Sequence, residues 1–420
     1  MAIEAAVDGR TQSGYRRNPL TKRRKVHSLT GRITEKRMLK AFKAVRKNRG
    51  AAGIDKVSIS MFEQNLDQNL AKLMKDLKSG NYRARPLRRK YIPKASGKFR
   101  PLGIPAVRDR VAQEVIRSLI EPYFEPDFSD FSFGFRPNRN CHQAIRQMIE
   151  YWKQGYSIVL DADIQGFFDH IDHELIIDLV ALRIADGNIL RIIRQILKSG
   201  VMIDGVLTRT VMGTPQGGVI SPLLANIVLD VLDRKLALKG YVFVRYADDF
   251  LVLAKSGSEI EKAYDIVRDT IENELMLKLE PMKTKITSFK QGFEFLGFSF
   301  SSHGISIRTK SVENLKNKIR KLTIRSHNFS GDVIDSLNRM IRGVANYYAT
   351  DFSTVNTQFQ YLDRMIRRRL RCMKKKRISK MDNFRIRNRY FERKGLLSLC
   401  SHLSKNKSDC GSPITNMGQC

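Results

Sequence analysis

The chain has 420 residues, and its 76 Lys and Arg against 42 Asp and Glu give a formal net charge of +34 at pH 7. Hydrophobic residues make up 42% of the chain, which excludes a wholly disordered basic protein and fits roughly two or three domains. There is no apolar run long enough to cross a bilayer and no signal-peptide pattern. The five cysteines form no CxxC pair, which disfavours a disulfide framework or a zinc knuckle. So large a positive charge favours a polyanion, above all nucleic acid, as partner.

The N-terminal part is predicted to be a basic arm followed by helices. Residues 1–33 are rich in cations without apolar periodicity, which is typical of a mobile arm. Thr34 is a candidate cap for a helix with apolar residues at helical spacing, and a second helix is expected to follow Ser60 and to end before Gly80. Further helices are predicted at 107–121, 141–152, 175–182, 189–197, 221–238 and 259–277.

Strand signals interrupt the helices. A hairpin is predicted between residues 89 and 102, with Ser96-Gly97 at a tip that carries Lys94, Lys98 and Arg100. A last strand pair is expected within residues 293–308. From residue 311 onward the pattern is helical and very basic, with one apolar stripe per helix, so a helical bundle with a cationic face is expected.

Three aspartates indicate chemistry. Asp163 ends a predicted buried strand at 156–163, which contains the short apolar run 157–160, and Asp248 and Asp249 lie in the turn of a predicted hairpin at 242–253. An Asp-Asp pair between apolar strands is costly unless its charge is compensated. Phosphoryl transfer uses hard oxygen ligands and Mg²⁺, and carboxylates on adjacent strands can hold two ions about 4 Å apart. The alternative is a polar turn in which an Asp hydrogen-bonds locally.

Six segments, in order along the chain, resemble the motifs of reverse transcriptases encoded by group II introns. The YxDD motif is matched by Tyr246-Ala247-Asp248-Asp249, and the other segments are Gly53–Asp55, Ser132–Pro137, Asp161–Asp169, Gly213–Asn226 and Phe295–Phe298. Each motif is weak alone, but the ordered set is specific.

The resemblance implies an α+β fold: a right-hand polymerase with fingers, an antiparallel-sheet palm and an all-α thumb. The expected divisions are an arm at 1–33, an N-terminal extension with fingers at 34–155, a palm with some fingers elements at 156–304, a thumb or maturase X domain at 305–377, and a short basic tail at 378–420.

The resemblance also assigns the catalytic roles. It makes the carboxylates of Asp163, Asp248 and Asp249 ligands for two Mg²⁺ ions, for which Mn²⁺ can substitute, and the Ile164 carbonyl can add one more ligand. Lys283 matches the family's lysine near the leaving pyrophosphate and is expected to act as its proton donor, although Lys285 is close enough to keep the choice open.

For the incoming dNTP, the resemblance implies that Lys94 and Arg100 grip the triphosphate. It also implies that Gln216 and Ile164 contact the nucleotide. Phe168 takes the position of the steric gate that excludes a ribose 2′-hydroxyl. The segment Phe295-Leu296-Gly297 takes the position of the primer grip, where glycine lets the backbone approach the strand. Core packing for Phe168 and a solvated hairpin tip for the two cations are the alternatives.

Other candidate residues remain ambiguous or carry no signal. Arg136 is assigned to primer or template binding, with ion pairing to an acid in the fingers as an equally weighted alternative. His142, His170 and His173 lack ligand spacing and are interpreted as structural or surface residues.

The function implied is RNA-directed DNA synthesis together with intron RNA binding as a maturase in splicing and retrohoming. The expected partners are group II intron RNA, an RNA template, a DNA primer and dNTPs, with no membrane, in a bacterial cytosol or nucleoid rather than an organelle; monomer or dimer stays open. No His-Asn-His endonuclease pattern follows the thumb, so mobility is expected to use existing DNA ends, and the short C-terminus puts full splicing competence in question. The alternatives are a related polymerase recruited to host DNA repair or phage defence, and an RNA-binding splicing factor without synthesis.

Overall fold

The structure, a computed structural model, describes residues 25–93, 99–203, 206–208, 212–214 and 217–403. The chain divides into two compact units, residues 1–286 and residues 287–420. In the described part of the chain, no helix is both long and apolar enough to span a bilayer.

Helices dominate the first part of unit one. Thr34 caps the first helix through its side chain, as predicted, while the helix predicted after Ser60 begins earlier, at Ile59, and is interrupted at Asn65, whose backbone is not helical. The helices are α1 (Glu35–Asn48), α2 (Ile59–Gln64), α3 (Leu66–Ser79), α4 (Val107–Phe124), α5 (Cys141–Lys153), α6 (Phe167–His170), α7 (His173–Ala181), α8 (Gly187–Leu197), α9 (Ser221–Leu238) and α10 (Gly257–Asp269).

One sheet of unit one carries the predicted fingers hairpin. Its strands are β1 (Leu87–Pro93), β2 (Phe99–Ile104), β4 (Val201–Ile203) and β5 (Val206–Thr208), in the order β2-β1-β4-β5. The first two strands are antiparallel, whereas β1 and β4 are parallel. The strands β4 and β5 were not predicted, because they are three residues long and one of them depends on a partner far away in sequence.

The second sheet holds the predicted catalytic strands. It contains β3 (Ile158–Ala162), β6 (Val242–Tyr246), β7 (Asp249–Ala254) and β8 (Lys285–Ser288), in the order β6-β7-β3-β8. β7 lies between β6 and β3 and is antiparallel to both, and its apolar residues are buried. Apolar residues of this sheet, of α9 and α10 and of the earlier helices share one core.

Unit two begins before the predicted palm–thumb division at residue 304. It contains β9 (Phe293–Phe295), β10 (Phe298–Ser301), β11 (Gly304–Ile307), α11 (Thr309–Leu322), α12 (Gly331–Tyr348), α13 (Asn356–Lys375), α14 (Asp382–Arg385) and α15 (Asn388–Arg393). These three strands form their own sheet, and Phe298 packs against the aromatic rings of Tyr347, Tyr348 and Phe352. The division falls at residue 286 because the aromatic core of this small sheet is shared with the helices that follow it.

The predicted tail after residue 377 is part of unit two as far as residue 403. Asn338 of α12 donates to the Gly395 carbonyl at 2.8 Å and accepts from the Leu397 amide at 2.9 Å. The buried carboxylate of Asp363 on α13 accepts from the Leu399 amide at 3.0 Å. These bonds satisfy backbone groups that an isolated tail would leave to water.

Candidate active site

The three aspartates are gathered at one edge of the second sheet. Because β3 and β7 are antiparallel and Ala162 lies opposite Phe250, the end of β3 and the start of β7 share that edge. Asp163 follows β3, Asp249 begins β7, and Asp248 lies in the two-residue turn between Tyr246 and Asp249. The predicted convergence of these carboxylates therefore occurs in the structure.

Negative charge is concentrated at this edge. Desolvation, followed by the nearby carboxylates of Asp248, Asp163 and Asp161, raises the pKa of Asp249 to about 6. Within the described residues, no three His, Cys, Asp or Glu side chains are arranged so that together they could hold a metal ion. The fit to Mg²⁺ therefore rests on the chemistry of the donors, which are hard carboxylate oxygens whose mutual repulsion a cation would relieve.

Lys283 contacts the carboxylate cluster directly. Its Nζ lies 2.5 Å from Oδ2 of Asp163, and this hydrogen bond is the main cause that raises the pKa of Lys283. The Asp163 amide also faces the hydroxyl of Thr284 at 3.5 Å. Of the two lysines proposed as proton donor, Lys283 is the one that the structure pairs with a predicted catalytic residue.

The predicted nucleotide residues after Asp163 lie beside the glycine-rich loop. Ile164 is buried and bridges to Leu279. The Phe168 ring is half-buried, with its centroid 5.3 Å from that of Phe167, and its carbonyl accepts from the Thr214 amide at 2.7 Å. The structure thus connects the predicted steric gate with the start of the nucleotide-site motif.

Gly213 allows this close approach. Its φ is +89°, and a Cβ at this position would lie 2.7 Å from the Asp169 carbonyl oxygen. Four residues on, Gly217 has φ +110°, and a Cβ there would lie 2.7 Å from the Gly103 carbonyl oxygen of β2. The glycines of the motif therefore let its backbone contact both the short helix α6, which follows Asp163, and the fingers sheet.

His173 has a role in the site that its sequence position did not predict. This side chain is buried at the start of α7, and its Nε2 lies 2.7 Å from the Gly213 carbonyl oxygen. Because that oxygen only accepts, Nε2 carries the proton, and burial lowers the pKa of His173 so that the neutral ring is favoured. His173 therefore anchors the glycine-rich loop, a contact that no local spacing signals. By contrast, His170 is exposed, with its Nδ1 3.1 Å from the Gln165 carbonyl oxygen.

Some predicted nucleotide-binding residues lie outside the described part of the chain. These are Lys94, Gln216 and the side chain of Arg100. The strands that flank the hairpin tip are described, and Pro93 pairs with Phe99.

The assignment of Arg136 to primer or template binding is corrected. Its guanidinium is buried and pairs with Glu125 at 2.9 Å, and it also donates to the carbonyls of Ser129 and Ser132. All these groups belong to the loop and helix end around Arg136, so the guanidinium is not available to a phosphate. The alternative of an ion pair with an acid in the fingers describes the structure.

The predicted primer grip forms a tight turn in unit two. Leu296 and Gly297 have φ values of 46° and 81° between the paired residues Phe295 and Phe298, as a two-residue hairpin of type I′ requires. The Tyr347 hydroxyl donates to the Leu296 carbonyl at 2.8 Å. A helix of the same unit thus fixes the turn.

A basic groove lies among the helices of unit two and encloses about 1070 Å³. Arginines dominate its lining: Arg320, Arg325, Arg364, Arg367, Arg368, Arg369 and Arg371. Not all of them face solvent, since Arg371 is buried and donates to the Ile386 carbonyl at 2.8 Å, and Arg369 donates to the Thr323 hydroxyl at 2.6 Å. The groove therefore combines structural arginines with cations suited to phosphates.

Two protein-family models match the chain, one after the other. The family model described as reverse transcriptase (RNA-dependent DNA polymerase) matches residues 92–300, and the group II intron maturase-specific domain matches residues 312–391.

Two curated proteins and one solved structure are similar to the chain. Protein YkfC of Escherichia coli (strain K12) is 35% identical over 283 residues, which cover 58% of this chain and 74% of YkfC. The group II intron-encoded protein LtrA of Lactococcus lactis subsp. cremoris is 31% identical over 397 residues, which cover 70% of this chain and 66% of LtrA. Telomerase from Candida albicans, in complex with a TWJ fragment of telomeric RNA, matches with a TM-score of 0.43 and 14% identity over 73% of this chain and 60% of the telomerase chain. The chain belongs to the family of group II intron-encoded reverse transcriptases, in which an RNA-dependent DNA polymerase domain precedes a maturase-specific domain.

Proposed function

We propose that the chain extends a primer 3′-hydroxyl with deoxynucleotides on an RNA template. The observation that carries this proposal is the gathering of Asp163, Asp248 and Asp249 at one sheet edge. These carboxylates, with the carbonyl of Ile164, are the groups that would hold two Mg²⁺ ions, or Mn²⁺ in their place. When bound, such ions lower the pKa of the attacking hydroxyl and neutralise the leaving pyrophosphate.

Lys283 is the proposed proton donor to the pyrophosphate. Its ammonium group contacts the Asp163 carboxylate, so it lies within reach of a phosphate held at the same place. A protonated lysine both attracts the negative leaving group and can release a proton to it.

The incoming nucleotide is proposed to bind between the glycine-rich loop and the fingers hairpin. In this assignment Lys94 and Arg100 hold the triphosphate, Gln216 contacts the nucleotide, and Phe168 excludes a 2′-hydroxyl. The backbone contact between Thr214 and Phe168 supports a pocket shared by the two motifs.

The helices of unit two are proposed to hold the duplex and structured intron RNA. The turn at Phe295-Leu296-Gly297 is assigned to the primer, and the basic groove to phosphates. The family supports a maturase role, and we extend it to retrohoming of a group II intron in the bacterial cytosol.

Primer extension distinguishes this function from RNA binding alone. Purified protein is supplied with an RNA template, an annealed DNA primer, dNTPs and Mg²⁺, and extended DNA is resolved by length. Extension that requires the RNA template supports the proposal. Tight RNA binding without extension under the same conditions would contradict it and favour a splicing factor without synthesis.

A further inference from the structure

Arg245 is a buried cation close to the proposed catalytic turn. It lies in β6, three positions before Asp248, and its side chain is 0% exposed. A fully buried arginine is rare unless all its donors are paired. The partners of this guanidinium therefore indicate what it does.

The guanidinium connects α9 to the turn. Its Nε and Nη2 donate to the Asp233 carboxylate at 2.8 and 2.5 Å. Its Nη1 donates to the side-chain oxygen of Asn226 at 2.9 Å and to the carbonyl of Ala247 at 3.0 Å. Because guanidinium is planar and its donors are fixed, the Asp233 carboxylate sets the direction in which Nη1 meets Ala247.

The residue held in this way has an unfavourable backbone conformation. Ala247 has φ +60° at the first central position of the two-residue turn between Tyr246 and Asp249, where glycine is usual. An L-residue in this region is strained and persists only where its surroundings enforce it. The conformation of Ala247 in turn sets the direction in which Asp248 leaves the turn.

The neighbouring loop holds the turn from another side. A Cβ on Gly134 would lie 2.1 Å from the Ala247 amide nitrogen, so the two backbones are in direct contact. The side-chain amide of Asn226 donates to the Gly134 carbonyl at 2.9 Å. The backbone amide of Phe133 donates to the Arg245 carbonyl at 2.8 Å. The helix, the loop and the turn thus meet in one buried hydrogen-bonded network.

We propose that Arg245, oriented by Asp233, is a positioning residue that fixes the catalytic turn in the strained conformation needed for polymerisation. This inference rests on the proposed function of Asp248 and Asp249. A buried ion pair adds little net stability compared with apolar packing, but it fixes direction, which is what a metal-binding carboxylate needs.

The test compares Arg245→Lys with Arg110→Lys in the full chain. Lysine keeps the charge opposite Asp233 but loses the planar fork to Ala247. Arg110 is a matched control, because it is also buried and donates to two backbone carbonyls, those of Arg49 and Ala51. Primer extension on an RNA template gives kcat, the KM for dNTP and the Mg²⁺ concentration for half-maximal rate, and thermal unfolding is measured in parallel.

We expect Arg245→Lys to lower kcat about 100-fold, since a displacement on the order of 1 Å at reacting groups has this effect. The half-maximal Mg²⁺ concentration should rise about tenfold, as for other residues that orient metal ligands, while the KM for dNTP changes little. Arg110→Lys should lower the unfolding temperature without changing these parameters.

Equal kinetic parameters for the two folded variants would overturn the positioning role. If Arg245→Lys does not fold, Gly134→Ala decides, because its Cβ meets the Ala247 backbone directly; a wild-type rate in that variant would overturn the inference. Failure of the proposed function is distinguishable, because the wild-type protein itself would then extend no primer.

Discussion

Asp163, Asp248 and Asp249 concentrate negative charge in a chain whose net charge is +34. Burial, and after it repulsion from the neighbouring carboxylates, raises the pKa of Asp249, and Lys283 compensates part of the negative charge at Asp163. Charge of this kind costs stability unless a ligand uses it. At the scale of single residues, the site therefore has the features expected of a cation-dependent centre.

Phe168 provides a prediction about sugar selectivity. Replacing it with alanine removes the ring proposed to contact the ribose 2′ position, so Phe168→Ala should incorporate rNTPs more efficiently relative to dNTPs. Single-nucleotide primer extension with matched dNTP and rNTP measures this ratio. Tyr264→Ala, which removes another half-buried ring from the palm surface, is the control. An unchanged ratio in Phe168→Ala would leave core packing as the role of this ring.

Asp230 provides a prediction about pH. Burial, with a smaller contribution from Asp233, raises the pKa of Asp230 to about 6, while Arg234 and Arg245 oppose the shift. The folded protein therefore keeps this proton up to about pH 6, whereas the unfolded chain releases it near pH 4. Between these values the folded state binds more protons, so this group makes the free energy of unfolding fall as pH rises.

Asp230→Asn removes that effect. Its unfolding temperature relative to wild type should increase between pH 4 and pH 7, when both are measured by circular dichroism. Asp265→Asn, an exposed position on α10, is the control for the loss of one charge. A difference between Asp230→Asn and wild type that does not vary with pH would contradict the assignment.

At the scale of elements, the strands that carry the catalytic residues could be predicted from sequence. The apolar runs at 158–160, 242–244 and 250–254 are short, continuous and bounded by polar residues, which indicates buried strands. That β3 and β7 place their aspartates at one sheet edge could be predicted from the family resemblance, but not from the local sequence pattern. No glycine or proline marks the interruption of the second predicted helix at Asn65, so local propensity does not predict it.

Long-range polar contacts could not be predicted. Arg136 has the same surroundings in sequence whether it pairs with Glu125 or with a phosphate, and only the fold decides. The pairing of Arg245 with Asp233 and the contact of His173 with Gly213 likewise join residues from different elements. Sequence patterns give the elements, whereas the partner of a buried charge depends on their packing.

The basic groove of unit two provides a prediction about RNA binding. Replacing Arg364, Arg367 and Arg368 with alanine removes three lining cations and should weaken RNA binding. A plot of the logarithm of the RNA-binding constant against the logarithm of the salt concentration should also have a shallower slope. The slope should change by about 0.7 to 0.9 for each phosphate that the variant no longer neutralises. Filter binding over a range of salt concentrations measures both quantities.

A charge-matched variant separates the groove from net charge. Lys239, Lys255 and Lys262 are exposed in unit one, and their replacement with alanine lowers the net charge by the same amount. This variant should keep most of the affinity. Equal losses of affinity in the two triple variants would contradict a specific role for the groove.

For the whole molecule, we propose that the excess positive charge holds nucleic acid and that a small cluster of carboxylates carries out the chemistry on it. The two functions are carried by different residues: the proposed RNA-binding groove lies in unit two, and the aspartates lie in unit one. Loss of one function is therefore expected to leave the other largely intact.

The measurement that tests the central claim most directly is RNA-templated primer extension by wild type and Asp248→Ala, with RNA binding assayed on the same preparations. We predict that wild type synthesises DNA that depends on Mg²⁺ and that Asp248→Ala synthesises none while binding RNA with nearly unchanged affinity. One carboxylate contributes to the chemistry but little to a surface with this excess of cations. DNA synthesis by Asp248→Ala at the wild-type rate would contradict the account.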